Sequence, residues 1–150
     1  MHAPVHLYRY RLGRRSIGEV LLWILYWHPH IRVAHRGRVT GRVHQTIVEV
    51  IRFDPGRNEW LVAAMFGPRS DWYRNLSATP AIEVEVRGEI FRPVQRVLLD
   101  EAAQRELDDY RRRNPIWSRL AGVLIGRPFT AASMPVIAFG DPRTRRSLPG

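Results

Sequence analysis

The chain has 150 residues, 45% of them apolar, which suits one compact domain over residues 1–150 burying about 70% of its unfolded surface. It contains no cysteine, and all 24 basic residues are arginine; disulfides, thiolate nucleophiles, iron–sulfur clusters, zinc–thiolate sites and Schiff-base lysines are therefore excluded. A formal charge of +10 suits contact with nucleic acid, an acidic membrane surface or a polyanionic small ligand.

The distribution of the charge chooses among these. The arginines run from Arg9 to Arg146, interleaved with acids, with short clusters at Arg111 to Arg113 and Arg143 to Arg146. No helix-turn-helix, zinc finger or RNA-recognition signature accompanies them, so a nucleic-acid partner is not expected. Most read as solvated faces, and anion binding falls to guanidinium forks and backbone N–H groups.

In chain order, the apolar octet Val20 to Trp27 follows four arginines between residues 9 and 15 and stops at His28-Pro29-His30. It is too short for a bilayer, which needs about 20 apolar residues. The spacing predicts a helical segment over about 16–28. It is either a core helix or an interfacial one with basic flanks, giving peripheral membrane contact. A strand meander follows: Ile31 to His35, a turn at Gly37 to Gly41, Val43 to Phe53, the turn Asp54-Pro55-Gly56, and Glu59 to Phe66.

Asp71 to Ser77 reads as a short helix capped by Ser70 and ended by Thr79-Pro80. Ala81 to Val86 and Glu89 to Val97 read as a hairpin about Arg87-Gly88, with Glu83, Glu85 and Glu89 on a solvent face. Asp100 is expected to cap a helix burying Ala103, Leu107 and Tyr110. After Asn114-Pro115, a second helical stretch has Trp117, Leu120, Ala121 and Leu124 at helical spacing. Pro135 to Phe139 is a last strand, and the tail over about 141–150 frays.

Two segments carry candidate chemistry. The turn Gly37-Arg38-Val39-Thr40-Gly41, flanked by Arg36 and Arg42, allows backbone N–H groups to converge on an anion beside bidentate guanidinium groups; it reads equally as a hairpin turn with solvated arginines. Trp72-Tyr73-Arg74-Asn75 puts two aromatics at the start of a helix, as a stacking platform or as a plug for a barrel end. His28, His30, His35 and His44 lack the spacing and the carboxylate of a metal set, so no metal site is expected. Ser-His-Asp and nucleophile-elbow patterns are absent.

On these segments the chain resembles the deazaflavin-dependent nitroreductase family, actinobacterial split-barrel proteins that use the reduced deazaflavin coenzyme F-420. Its members carry a Gly-Arg-x-Ser/Thr-Gly turn between the first two barrel strands, here Gly37 to Gly41. After the third strand comes a Trp-Tyr-x-Asn-Leu helix with a proline beyond it, here Trp72, Tyr73, Asn75, Leu76 and Pro80. The resemblance covers Ile31 to Val97 well and the flanks more loosely. It implies a mainly β fold with peripheral helices, an FMN-binding-like split β-barrel, and hydride transfer to a quinone-like or nitroaromatic acceptor without a protein nucleophile or metal.

By this carry-over, Arg38, Thr40 and Gly41 grip the phosphate and acidic tail of the coenzyme. Met65, Phe66, Gly67 and Arg69, with Trp72 and Tyr73, border its ring, and Asn75 braces the local backbone. Val39 stands where many members have a lysine or arginine, with Arg36, Arg42 and Arg69 as replacement cations, and the loop Phe66 to Arg69 is shorter than the common form. Binding of FMN instead of F-420, or a non-catalytic barrel holding a lipid, fatty acid or flavin, is the alternative. A cytoplasmic homodimer is the expected state.

Overall fold

A computed structural model describes residues 29–143. The expected helix over about 16–28 and the tail beyond Arg143 lie outside the described residues. Seven strands follow the chain: β1 (His30–Arg36), β2 (Val43–Asp54), β3 (Glu59–Ala63), β4 (Glu83–Val86), β5 (Glu89–Phe91), β6 (Val94–Val97) and β7 (Val136–Gly140). Helix α1 (Asp71–Ala78) lies between β3 and β4, and α2 (Asp100–Arg113) and α3 (Pro115–Ile125) lie between β6 and β7.

The strands form one antiparallel sheet in the order β5-β4-β1-β2-β3-β7-β6. Its two edge strands are consecutive in the chain, separated only by Arg92 and Pro93. Two intervening residues let Phe91 and Val94 stand at most about 11 Å apart, so the seven-stranded sheet has to curl until its edges meet. That curl makes the fold a split β-barrel.

The expected strand Glu89 to Val97 is thus two strands. Pro93 has no N–H to give a ladder, and the chain bends there to leave β4 and join β7. The turn before it behaves as expected: Arg87 and Gly88 have φ of 50° and 84°, the pair of positive angles a two-residue type I′ hairpin requires.

Two apolar clusters occupy the two faces of the sheet. The inner one holds Ile31, Val33, Val48, Val50, Val62, Leu76, Val84, Ile137 and Phe139; the outer one holds Ile51, Leu61, Ala63, Leu107, Tyr110, Val136 and Ala138 beneath α2 and α3. β3 and β7 feed both clusters with alternate residues, which is why their sequences are unbroken apolar runs. β2 changes faces through an irregularity between Val50 and Arg52 that leaves Ile51 out of the pairing. A bulge of this kind explains the imperfect alternation of its sequence.

Three local expectations need correction, and the inward face of α3 is settled by packing. β3 ends at Ala63, not Phe66, because the N–H groups of Met65 and Gly67 turn back onto the carbonyls of Ala63 and Ala64. Ser70 stands at the N-cap of α1, but its hydroxyl donates to the Gly67 carbonyl at 2.8 Å instead of capping the helix. Asp100 is the first residue of α2 and makes no cap bond; Leu99 is the cap, its carbonyl already accepting from Ala103. In α3, Ala121 and Ser118 are buried and Trp117 half-buried, while Leu120 and Leu124 remain 49% and 54% exposed. That helix carries apolar residues around most of its circumference, so periodicity cannot select the inward face.

Tyr110 fastens α2 to the sheet. Its hydroxyl donates to Glu49 Oε1 at 2.5 Å, with both residues buried, and burial together with the Glu49 charge pushes the phenol well above its ordinary range. Tyr110→Phe removes a donor from a buried carboxylate and is expected to cost about 2 kcal/mol in urea unfolding. An unchanged midpoint at constant slope would contradict this.

Candidate active site

Two short segments meet at one end of the barrel, the β1–β2 turn and the first turns of α1, and the loop after β3 leads into α1. In the β1–β2 turn the Gly37 N–H donates to the Arg42 carbonyl at 2.7 Å, and the Gly41 N–H to the Gly37 carbonyl at 2.9 Å. Arg36 Nη1 reaches the Gly41 carbonyl at 2.8 Å. A Cβ at Gly37 would stand 3.0 Å from Thr40 Oγ1 and 3.1 Å from His44 Nε2, so any larger residue there would have to push both side chains back by a few tenths of an ångström.

Arg38 ties the turn to α1. Its backbone N–H and its Nη1 both donate to Asn75 Oδ1, at 3.1 and 2.9 Å, and its Nη2 donates to Asp71 Oδ1 at 3.0 Å. The resemblance assigns Arg38 to an anionic tail, yet its guanidinium is engaged with α1 and its side chain is only 24% exposed. Asp71 and Asn75 are four residues apart on one helix face, and that face looks onto the turn. Among the described residues, the cations of the turn, the loop after β3 and α1 without an acid partner are Arg36, Arg42, Arg69 and Arg74, with Arg36 spent on the Gly41 carbonyl, and the N–H groups of Val39 and Thr40 have no acceptor.

Behind Arg38 the contacts run inward. Asn75, 5% exposed, has its Nδ2 3.2 Å from His35 Nδ1, and His35 Nε2 lies 2.9 Å from Thr46 Oγ1. His35 is 3% exposed and stacks on His44 with ring centroids 5.8 Å apart. Burial, and secondarily the neighbouring His44, lowers its pKa to about 4. The sequence reading weighed His35 only as a metal ligand and missed Thr46 and Asp71. Its one available signal was the β1–β2 register, which sets His35 opposite His44.

The aromatics and the loop complete the arrangement. Trp72 and Tyr73 meet edge to face with centroids 6.3 Å apart and pack partly against the inner cluster. They both plug the barrel end and offer exposed ring surface. Phe66 is 49% exposed and Arg69 exposed, whereas Met65 turns inward onto the outer cluster. Gly67, at φ +92°, is covered by the Arg127 guanidinium, which a Cβ there would overlap.

The structure therefore brings Arg38, Thr40 and Gly41 together with Asn75, Trp72 and Tyr73, and directs Met65 and Gly67 away toward the outer helices. Among the described residues no group of three His, Asp or Glu side chains is placed to hold a metal. None of their helices is long and apolar enough to cross a membrane.

The profile of the F420H2-dependent quinone reductase family matches residues 7–122. The chain belongs to this family. The reductase is accordingly an oxidoreductase that uses F-420 and a small-molecule acceptor. Solved structures agree in fold. An F420-H2-dependent reductase, FDR-A, has a TM-score of 0.53 at 16% identity, covering 74% of this chain and 93% of its own. A protein described as a domain-swapped dimer gives 0.53 at 16%, with 82% and 96% covered. A conserved hypothetical protein from Mycobacterium tuberculosis gives 0.50 at 15%, with 91% of each covered. No curated protein sequence matches significantly.

The donor set of the reductase fits such a coenzyme. A ring with a phosphate and carboxylate tail calls for an apolar wall beside unpaired cations and free backbone N–H groups. Trp72, Tyr73 and Phe66 would supply the first, and Arg42, Arg69 and the Val39–Thr40 amides would supply the second.

Proposed function

We propose that the reductase holds F-420 between the Gly37–Gly41 turn and the first turns of α1, and reduces a quinone-like acceptor. The observation that carries this reading is the junction of Arg38 with Asn75 and Asp71, which joins a cationic turn to an aromatic-bearing helix. Reduced F-420, when bound, supplies a hydride; a quinone that takes it with a proton leaves as the hydroquinone. The chain's own residues bind and orient. Thr40, Gly41, Arg42 and Arg69 face the anionic tail, and Arg38 holds the turn in place through Asn75. Phe66, Trp72 and Tyr73 border the ring side and exclude water, which favours a flat, apolar acceptor stacked on the ring. A quinone fits this better than a small polar molecule, with a nitroaromatic compound as the second acceptor class. The similarity to a domain-swapped dimer supports a homodimer.

The test is a fluorescence titration of the full chain with oxidised F-420 and, in parallel, with FMN, followed by an acceptor series of quinones and nitroaromatics. Selective quenching of F-420 and turnover with quinones are expected. Tighter binding of FMN, or binding without turnover, would overturn the reading. Arg42→Ala and Arg69→Ala are each expected to weaken F-420 by roughly two- to fivefold, the range for exposed charge contacts. Unchanged affinity in both would remove the tail from this turn.

A further inference from the structure

The direction of each hydrogen bond in the chain from Arg38 to Thr46 follows from one group. A backbone N–H can only donate, so the Asn75 atom that Arg38 N approaches at 3.1 Å is the amide oxygen, and the same oxygen takes Arg38 Nη1 at 2.9 Å. The other Asn75 atom, 3.2 Å from His35 Nδ1, is then the NH2 group, which can only donate. His35 Nδ1 must therefore be a bare acceptor, and the ring proton sits on Nε2, donated to Thr46 Oγ1 at 2.9 Å. From this geometry we infer that His35, a buried strand residue, is a positioning residue for the coenzyme-holding turn: its Nε2–H tautomer orients the Asn75 amide, and the amide holds Arg38 and the turn against α1. The inference rests on the proposed placement of F-420 and adds to it a residue that does not touch the coenzyme.

Removing the acceptor at His35 Nδ1 frees the amide to rotate. A rotated amide presents NH2 to the Arg38 N–H, donor against donor, and the turn loses its hold on α1. His35→Asn keeps an acceptor at the position of Nδ1, whereas His35→Leu does not.

The experiment has two independent arms on the full chain. The first is long-range 1H–15N NMR of the histidine rings without coenzyme. A bare Nδ1 and protonated Nε2 on His35 are expected, inverted or doubly protonated in Asn75→Asp; a protonated Nδ1 in the wild type would overturn the inference. The second is F-420 titration with steady-state kinetics. His35→Leu is expected to raise Kd and KM for the coenzyme at least tenfold with kcat within about twofold, while His35→Asn restores binding to within about threefold. A mere loss of folded protein would lower kcat and leave KM unchanged. Wild-type affinity in His35→Leu overturns the positioning role with the site intact. If His35→Leu does not fold, weak coenzyme binding by His35→Asn overturns it in the same way. Failure of the wild type to bind F-420 overturns the placement itself, whatever the NMR arm gives.

Discussion

Asn75→Ala is expected to destabilise the protein by about 3 kcal/mol and to weaken F-420 binding by more than tenfold. The Asn75 side chain is 5% exposed and serves three partners: the Arg38 N–H, the Arg38 guanidinium and His35 Nδ1. Truncation leaves these without their acceptor or donor, and an orphaned buried polar group costs about 1–3 kcal/mol. The binding loss has a separate origin, since the turn is no longer pinned to α1; tenfold corresponds to about 1.4 kcal/mol. Arg38→Ala removes the guanidinium while keeping its backbone N–H, so it should match the affinity loss with a smaller loss of stability. Urea unfolding and coenzyme titration on the same samples check both quantities. Tight coenzyme binding by a folded Asn75→Ala protein would detach the turn from the site.

The second large effect is a pH dependence of stability from His35. Its native pKa is lowered to about 4 from an ordinary 6.5 by burial and by His44. Below pH 6.5 the unfolded chain takes up a proton that the native protein refuses, so the unfolded state binds more protons and stability falls as pH falls. The contribution is complete above about pH 6.5 and is lost between there and pH 4. It amounts to about 3 kcal/mol at 1.36 kcal/mol per unit. The groups that face the ring are His44 and Thr46 on β2 and Asn75 on α1, with Arg38 and Asp71 one bond further. Unfolding free energies of wild type and His35→Asn, measured from pH 7.5 to 4, isolate the effect from the carboxylates. The difference between the two curves should change by about 3 kcal/mol; parallel curves would show that His35 does not titrate as its burial requires.

Much of the barrel was legible along the chain. β-branched runs and turn residues located β1, β2, β4 and β7 to within a residue or two, and the positive-φ pair at Arg87-Gly88 was written in the dipeptide. Where reading failed, the cause was non-local. Nothing near Pro93 tells that the residues before it pair with β4 and those after it with β7, because the edge strands are brought together by the curl of the whole sheet. Likewise α3 is apolar around most of its surface, so helical spacing alone does not tell that Ser118 and Ala121 are buried while Leu120 and Leu124 are not.

The site divides in the same way. By itself the sequence carried the family resemblance that implies the cofactor class: a Gly-Arg-x-Thr-Gly turn and a Trp-Tyr-x-Asn-Leu helix are local, so they survive in the chain as patterns of residue types. What only the tertiary structure decided is what those residues do to one another. Arg38 and Asn75 are 37 positions apart, and Asn75 and His35 are 40. A hydrogen bond over that separation depends on where a strand turn and a helix are docked by the inner apolar cluster. Hence the arginine that reads as a free cation in the sequence is committed to α1, and a histidine that reads as a failed metal ligand becomes the buried support of the turn.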